Sequence, residues 1–290
     1  MDRRAETDRG CVLPLRIYLE HERTLLGAVA VILFLVFWEG LTRGWWADLL
    51  GPLIGDSAEA WRIKPIFISS PSRVAHAAYR LFFVTGEIWN DLRVSGLEYF
   101  LGFFLAIIVG IPLGLAAGWY RRFCHAVEPF LSALNATPQV AFLPLLIVWF
   151  GFDIWSKVAI VFLLAVLPIA LNALAGVRTT DARLLRVAES FGAAQWQVLR
   201  NMILPSSVPF LLTGLRLAVG RAMIGIVVGE IYGASAGVGY MINAAGGIFD
   251  TDKVFVGIIV IAVSGLVLTE IVRRIERRVE AWRPKVGTAQ

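Results

Sequence analysis

Histidine and cysteine are scarce in this chain: three and two residues respectively among 290. His21, His76 and His125 are scattered and share no ligand spacing, so a histidine metal cluster is excluded. Cys11 precedes the first apolar run and Cys124 stands near the end of another, which gives neither a disulfide framework nor a zinc pattern. No Gly-x-x-x-x-Gly-Lys-Ser/Thr stretch occurs, so the chain has no phosphate-cradling loop of its own. No serine, histidine and carboxylate pattern marks a hydrolase. Charged residues make up only 17% of the sequence, too few to cover a soluble domain of this size. The small basic excess lies in short clusters without interleaved aromatics, which excludes a nucleic-acid platform.

Apolar runs are what the sequence has in abundance. Hydrophobic residues reach 58%, and stretches long enough to cross a bilayer recur along the chain. Six spans are expected, at about 25–42, 94–119, 126–150, 156–176, 208–232 and 254–272, in one all-α polytopic helix bundle. The first is read as a retained span, since no small-residue cleavage site accompanies it. The third is interrupted by Pro138 and Pro144. Asn135-Ala-Thr137 matches a glycosylation sequon, but its place inside a span and the following proline argue against modification. Trp45, Trp46, Trp61 and Trp89 fit an aromatic belt at the boundary, and "SPSRVAHAAYRLFFVTG" predicts a helix lying along the interface.

Short-loop arginines set the orientation. Arg121 and Arg122 lie between spans two and three. Arg178, Arg183, Arg186 and Arg200 lie between four and five, and Arg273, Arg274, Arg277, Arg278 and Arg283 follow the sixth. The opposite side carries Lys157 and Lys253. Both termini are therefore expected in the cytoplasm. This divides the chain into a cytoplasmic segment 1–24, the first span 25–42 and an extracytoplasmic segment 43–93 with the interfacial helix. A core of 94–274 then includes the polar loop 177–206, and a cytoplasmic tail occupies 275–290.

Inside the spans, small and acidic residues stand out. Gly110, Gly114 and Gly118 share one helix face, as do Gly225, Gly229 and Gly233. Such spacing lets helices approach closely, either within one subunit or at a subunit interface. Glu230 is the acidic residue placed well inside a span. Its charge calls for a cavity or a partner, in a substrate pathway or in structural pairing. Glu39 and Glu98 lie nearer span ends and are read as interfacial. "GASAGVGYMINAAGG" is glycine-rich but opens no strand–helix unit, so it is not a nucleotide loop.

The polar segment between spans four and five, "GVRTTDARLLRVAESFGAAQWQVLRNMILP", predicts a helix from about 182, capped by Thr180 or Asp181. It should turn at a left-handed Gly192. A second helix follows over about 194–204, with Trp196, Leu199 and Ile203 on one face, until Pro205 breaks it. From physics alone it is a docking surface or a solvated connector.

This segment resembles the cytoplasmic loop of ABC importer permease subunits, which has the form Glu-Ala-Ala, three residues, Gly, nine residues, Ile, one residue, Leu-Pro. Gly192, Leu204 and Pro205 match it; Met202 replaces isoleucine, and Arg186-Val187-Ala188 replaces Glu-Ala-Ala, with Glu189 one residue beyond. The blocks "SPSRVAHAA", "TPQVAFLPLLIVWFGFDIWSKV", "LPIALNALAGVR", "LLTGLRLAVG" and "VVGEIYGASAGVGYMI" extend the resemblance from about 69 to the C-terminus, in the nitrate/sulfonate/taurine/bicarbonate branch. The resemblance implies a type I ABC importer permease fold in a bacterial inner membrane, paired with a second permease copy as a homodimer or heterodimer. It implies no cofactor on this chain. A cytoplasmic ABC ATPase dimer would carry ATP and Mg, and an extracytoplasmic solute-binding protein would deliver the substrate. The solute would be a small anion such as nitrate, bicarbonate, a sulfonate or taurine, with aromatic acids and vitamin precursors also open. Arg186, Val187, Ala188, Glu189, Gly192, Leu204 and Pro205 would form the ATPase-coupling loop. The rival readings are a secondary transporter, which would show inverted repeats that this sequence lacks, and a non-transporting scaffold.

Overall fold

The computed structural model describes residues 9–45 and 67–280. Trp46, Trp61, Arg283 and residues 1–8 lie outside the described residues, and so do the end of the tail and most of the first loop. Every regular element described is helical. The chain forms two compact units, one of residues 1–78 with 249–252, the other of 79–248 with 253–290.

The first unit contains α1 (Arg9–Arg43) and α2 (Pro71–Tyr79). The span 25–43 is exposed along nearly its whole length, as lipid contact requires. Glu39, one turn from the end of α1, is a hydrogen-bond acceptor for the amide (3.1 Å) and hydroxyl (2.8 Å) of Ser72. Ser70 caps α2 by accepting from the Arg73 amide at 3.4 Å, and Pro71 takes the first helical position, where a missing N–H costs nothing. Arg73 forks onto Asp252 at 2.9 and 3.1 Å.

The second unit is organised on two long spans, α3 (Glu87–Trp119) and α6 (Ile154–Arg178). They are joined along glycines of α3. A Cβ on Gly102 would strike Val158 and Val161, one on Gly110 would press on Val166 and Ile169, one on Gly114 would strike Ala170 and Ala173, and one on Gly118 would strike Val177. Both residue series rise together, so α3 and α6 run parallel. Parallel neighbours need a connection that returns across the layer. That connection is α4 (Arg121–Ala136), a 3₁₀ turn (Gln139–Phe142) and α5 (Leu143–Phe150), two helical arms bent by 94°. It begins level with the end of α6, where Arg178 meets Cys124 Sγ at 3.0 Å and Glu128 at 3.3 Å. It finishes at the start of α6, with three residues between Phe150 and Ile154, and Leu143 and Leu146 pack on Ile160 and Leu164 further along that helix. The bent pair is therefore one broken crossing. With it, the described residues hold six candidate spans; five are single helices long and apolar enough to cross. The break falls at Pro138, whereas Pro144 sits in the first turn of α5 and breaks nothing.

The polar loop follows as α7 (Ala182–Ser190) and α8 (Gln195–Val198), then α9 (Leu204–Gly233), α10 (Val238–Gly247) and α11 (Thr251–Glu280). α9 runs antiparallel to α6: Gly176 lies on Ser207, Gly214 on Asn172 and Pro168, Gly225 on Val161 and Gly229 on Lys157. The core lies where α3, α6 and α9 meet, around Ala106, Ala165, Ile169, Ala218 and Ala222.

Gly114→Leu should cost at least about 3 kcal/mol, because the new side chain meets backbone that cannot move aside. Gly220→Ala, whose Cβ would meet nothing within 4 Å, should be neutral or stabilising by up to about 1 kcal/mol through helix propensity. Thermal midpoints in detergent, followed by size-exclusion chromatography, separate the two.

Candidate functional site

The sequence-predicted residues divide between the two ends of the second unit. At the Arg178 end stands the polar loop. Asp181 is the cap of α7: its Oδ1 accepts from the Arg183 amide at 2.8 Å. Thr180 instead bonds Ser206 across the loop at 2.8 Å. α7 stops in a left-handed turn. Gly192 has φ +73°, and the Ala193 amide reaches back to the Ala188 carbonyl at 3.0 Å. This is the six-to-one bond of a Schellman ending, which places glycine at the one position where a Cβ is penalised. No atom lies within 4 Å of where that Cβ would be, so the constraint at Gly192 is conformational.

Two expectations for the second helix are corrected. Pro205 does not end it: residues 195–233 form one continuous helical rod. A π turn at Leu199–Ile203 precedes the proline, and the Leu204 amide bonds the Leu199 carbonyl, five residues back. That wider turn admits a residue without an N–H in the following first turn. Trp196 is also not on the buried face. Val198 and Ile203 are buried against Val177 with Leu115 and Trp119 beside them, while Trp196 is 65% exposed. The extra residue in the π turn rotates the helix faces and separates Trp196 from Ile203.

The outward surface of the loop is apolar at several points. Leu184 and Val187 of α7 are exposed, as is Trp196, and Phe191 beside the turn is 87% exposed. Arg186 is exposed on α7 and its carbonyl accepts from Ser190 Oγ. Ala188 is half-buried towards the anchoring cluster; Leu204 and Pro205 are half-buried at the start of α9. Glu189 belongs to α7, but its side chain lies outside the described residues. Phe191 escaped the sequence reading because a single aromatic before a glycine carries no periodic signal.

At the opposite end lies a buried polar cluster. Glu230 is 1% exposed, and its Oε2 accepts from the Gly239 amide at 2.6 Å. Asp91 and Ser95 of α3 bond the amides of Gly237 and Val238 at 3.0 and 2.9 Å. Three side chains from two spans thus satisfy the start of α10, whose free amides attract oxygen. Gly237 and Gly239 are required there, since a Cβ on either would collide with the Glu230 carboxylate. Glu98 is corrected from interfacial to buried: it is 3% exposed and pairs with Lys157 at 3.7 Å. The ammonium of Lys157 also donates to the carbonyls of Phe152 (3.0 Å), Asp153 (2.9 Å) and Gly233 (3.1 Å). Lys157 therefore ties the loop before α6 to the end of α9. Counting it as a loop charge missed this, because a lysine one turn into a helix looks the same whether it faces water or a neighbouring helix end.

The Gly225, Gly229 and Gly233 ladder faces this region. Its packing partners are Val161, Ile160, Lys157 and Ile147 of the same chain, at 3.1–3.2 Å from an added Cβ. The ladder is an intramolecular seam that lets α9 lie close enough for Gly233 to receive the lysine. Glu230 and the glycines are thus separated from the coupling residues by the length of a span.

Lys157→Met should destabilise by about 3 kcal/mol, since it strands a buried carboxylate and three carbonyls. Adding Glu98→Gln should recover part of the loss, as thermal midpoints of the single and double variants will show.

Comparison with known proteins bears on both ends. Residues 110–281 match the family described as binding-protein-dependent transport system inner membrane component. The putative aliphatic sulfonates transport permease protein SsuC of Bacillus subtilis is 38% identical over 205 residues, 71% of this chain and 74% of that protein. The taurine transport system permease protein TauC of Escherichia coli is 34% identical over 228 residues, 77% of this chain and 83% of its own length. In three dimensions, the fold is similar to a chain of the MetNI methionine ABC transporter in an inward-facing conformation, with TM-score 0.56 and 17% identity over 69% of this chain and 97% of that one. The chain belongs to the binding-protein-dependent transport inner membrane component family as a permease subunit of an ABC importer.

Proposed function

We propose that this permease carries a small sulfonate, taurine or a related anion across a bacterial inner membrane, driven by a cytoplasmic ATPase dimer that docks on residues 182–205. ATP and Mg bind on that partner, an extracytoplasmic binding protein delivers the solute, and a second copy of the chain completes the transporter. The relatives' sulfonate and taurine permeases support the substrate class.

The observation that carries the docking assignment is how the loop is joined to the spans. Four residues, 191–194, connect α7 to the rod 195–233, and Val198 and Ile203 anchor the rod against Val177. A push on the exposed Leu184, Val187, Phe191 and Trp196 surface is transmitted along one helix to Gly233, next to Lys157. Differential contact at the ATPase with two states of this rod is the coupling that alternating access needs. Arg186 and Glu189 supply the polar contacts, with Arg186 meeting an acidic group on the ATPase. The arginines at this end, including Arg121, Arg122, Arg200, Arg273, Arg274, Arg277 and Arg278, support a cytoplasmic position for it. By the same rule both termini are cytoplasmic.

Gly192→Val should strain the backbone by about 1–2 kcal/mol, leave membrane insertion intact and reduce ATP-driven uptake. Arg186→Glu should weaken ATPase pull-down, and a matching reversal on the ATPase should restore it. Unchanged uptake in both variants would show that the loop is only a connector. For topology, cysteines at Phe83 and Arg278 should be labelled from opposite sides of sealed vesicles; labelling of both from one side rejects the orientation.

A further inference from the structure

The break falls partway along the length of α6. Leu131, shortly before it, belongs to the core cluster that includes Ala165 and Val166, and Val140 and Leu143, shortly after it, pack with Ile160 and Leu164. Ile160 to Val166 lie within about two turns of the midpoint of α6, which runs from 154 to 178. Between them the backbone leaves the helix at Thr137 and Pro138, both extended, and bends by 94°. Ser132, Asn135 and Thr137 are exposed here. Irregular backbone and amide or hydroxyl side chains do not face hydrocarbon at mid-depth, where no water satisfies them; they face protein or a water-filled route.

An open recess adjoins the break. Val140 and Ala141 of the turn form part of its wall, with Leu143, Ile147, Phe152, Val228 and Tyr232. Its volume of about 540 Å³ is enough for a small solute. The recess is apolar and the break beside it is polar, without a charged side chain between Glu128 and Asp153. A solute with a short alkyl portion and an oxygen-rich head fits that sequence of surfaces. Neutral donors also hold an anion loosely enough for it to leave.

We propose that Ser132, Asn135 and Thr137 line the translocation pathway, and that Asn135 sets substrate preference by hydrogen bonding to the solute as it passes, the Thr137 hydroxyl being donated to the Ala133 carbonyl at 2.9 Å. This rests on the importer assignment above. It adds the lining of the route and the chemistry of the contact: uncharged donors at mid-depth, following an apolar vestibule.

The test uses the full transporter with its ATPase and binding protein, in proteoliposomes, with Cys11 and Cys124 replaced by serine. Cysteines at Asn135 and Thr137 should react with a charged methanethiosulfonate at least about tenfold faster than cysteines at Phe104 and Leu266, exposed apolar positions on α3 and α11. Their rates should change between ATP-free and vanadate-trapped states. Equal rates at all four positions would overturn the proposal, as would a disulfide joining two copies through position 135 without reagent access. Asn135→Leu should raise KM for taurine by about tenfold while leaving ATPase pull-down unchanged, and Thr137→Val, which removes a hydroxyl already donated to the Ala133 carbonyl, should leave KM within about twofold. An unaltered KM in Asn135→Leu removes the selectivity role. The labelling pattern does not require transport, so a complex that labels as expected but carries no taurine would fail the substrate assignment and leave the lining standing.

Discussion

Close parallel packing of two spans is the constraint from which the rest of the structure follows. α3 and α6 can touch along their length only because Gly102, Gly110, Gly114 and Gly118 leave room for Val161, Ile169, Ala170 and Val177. In a bilayer, apolar side chains gain nothing by leaving lipid for one another, so packing surface of this kind is what holds helices together. Because the two spans are parallel, the chain between them has to cross back. It does so as a broken crossing whose two arms are bent by 94°.

α9 completes the arrangement from the other side of α6. Its glycines repeat the device in the antiparallel sense, which brings Gly233 to Lys157 and Glu230 to the start of α10. Burying Glu98, Lys157 and Glu230 costs desolvation, part of which the ion pair and the backbone hydrogen bonds offset. Such a cluster favours one register of α9 over its neighbours, since a shift of one turn would take the Gly233 carbonyl away from Lys157 and move Glu230 away from its place beside α6 and α3. The coupling loop is then attached to a rod whose far end is fixed by specific polar bonds. Movement at the loop is communicated as rotation or translation of a whole helix, for which packed interfaces have few alternative positions.

Both polar ends depend on helix-terminus chemistry. At the loop, Asp181 and Gly192 delimit α7 so that its length and its angle to α8 are set locally. At the far end, Asp91, Ser95 and Glu230 take the place of water at the amides that begin α10. Satisfying these groups with side chains lets a short helix return into the layer without exposing backbone to lipid.

Hydropathy by itself determined the all-α class, the six crossings and their approximate places, because a span must be apolar over its length whatever it packs against. Local chemistry in the sequence also determined the ends of α7: Asp181 and Gly192 act within one turn of themselves. Tertiary structure decided what depends on neighbours. Which face of a glycine ladder is filled, and by which helix, required the parallel pairing of α3 with α6. The burial of Glu98 and Lys157 required knowing that they face each other across that pair. The continuation of the rod through Pro205 required the π turn, whose extra residue leaves no mark in composition or spacing. The exposure of Trp196 followed from the same turn. A sequence reports periodicity along one helix; which helix lies opposite, and at what level, is fixed only when the spans are packed together.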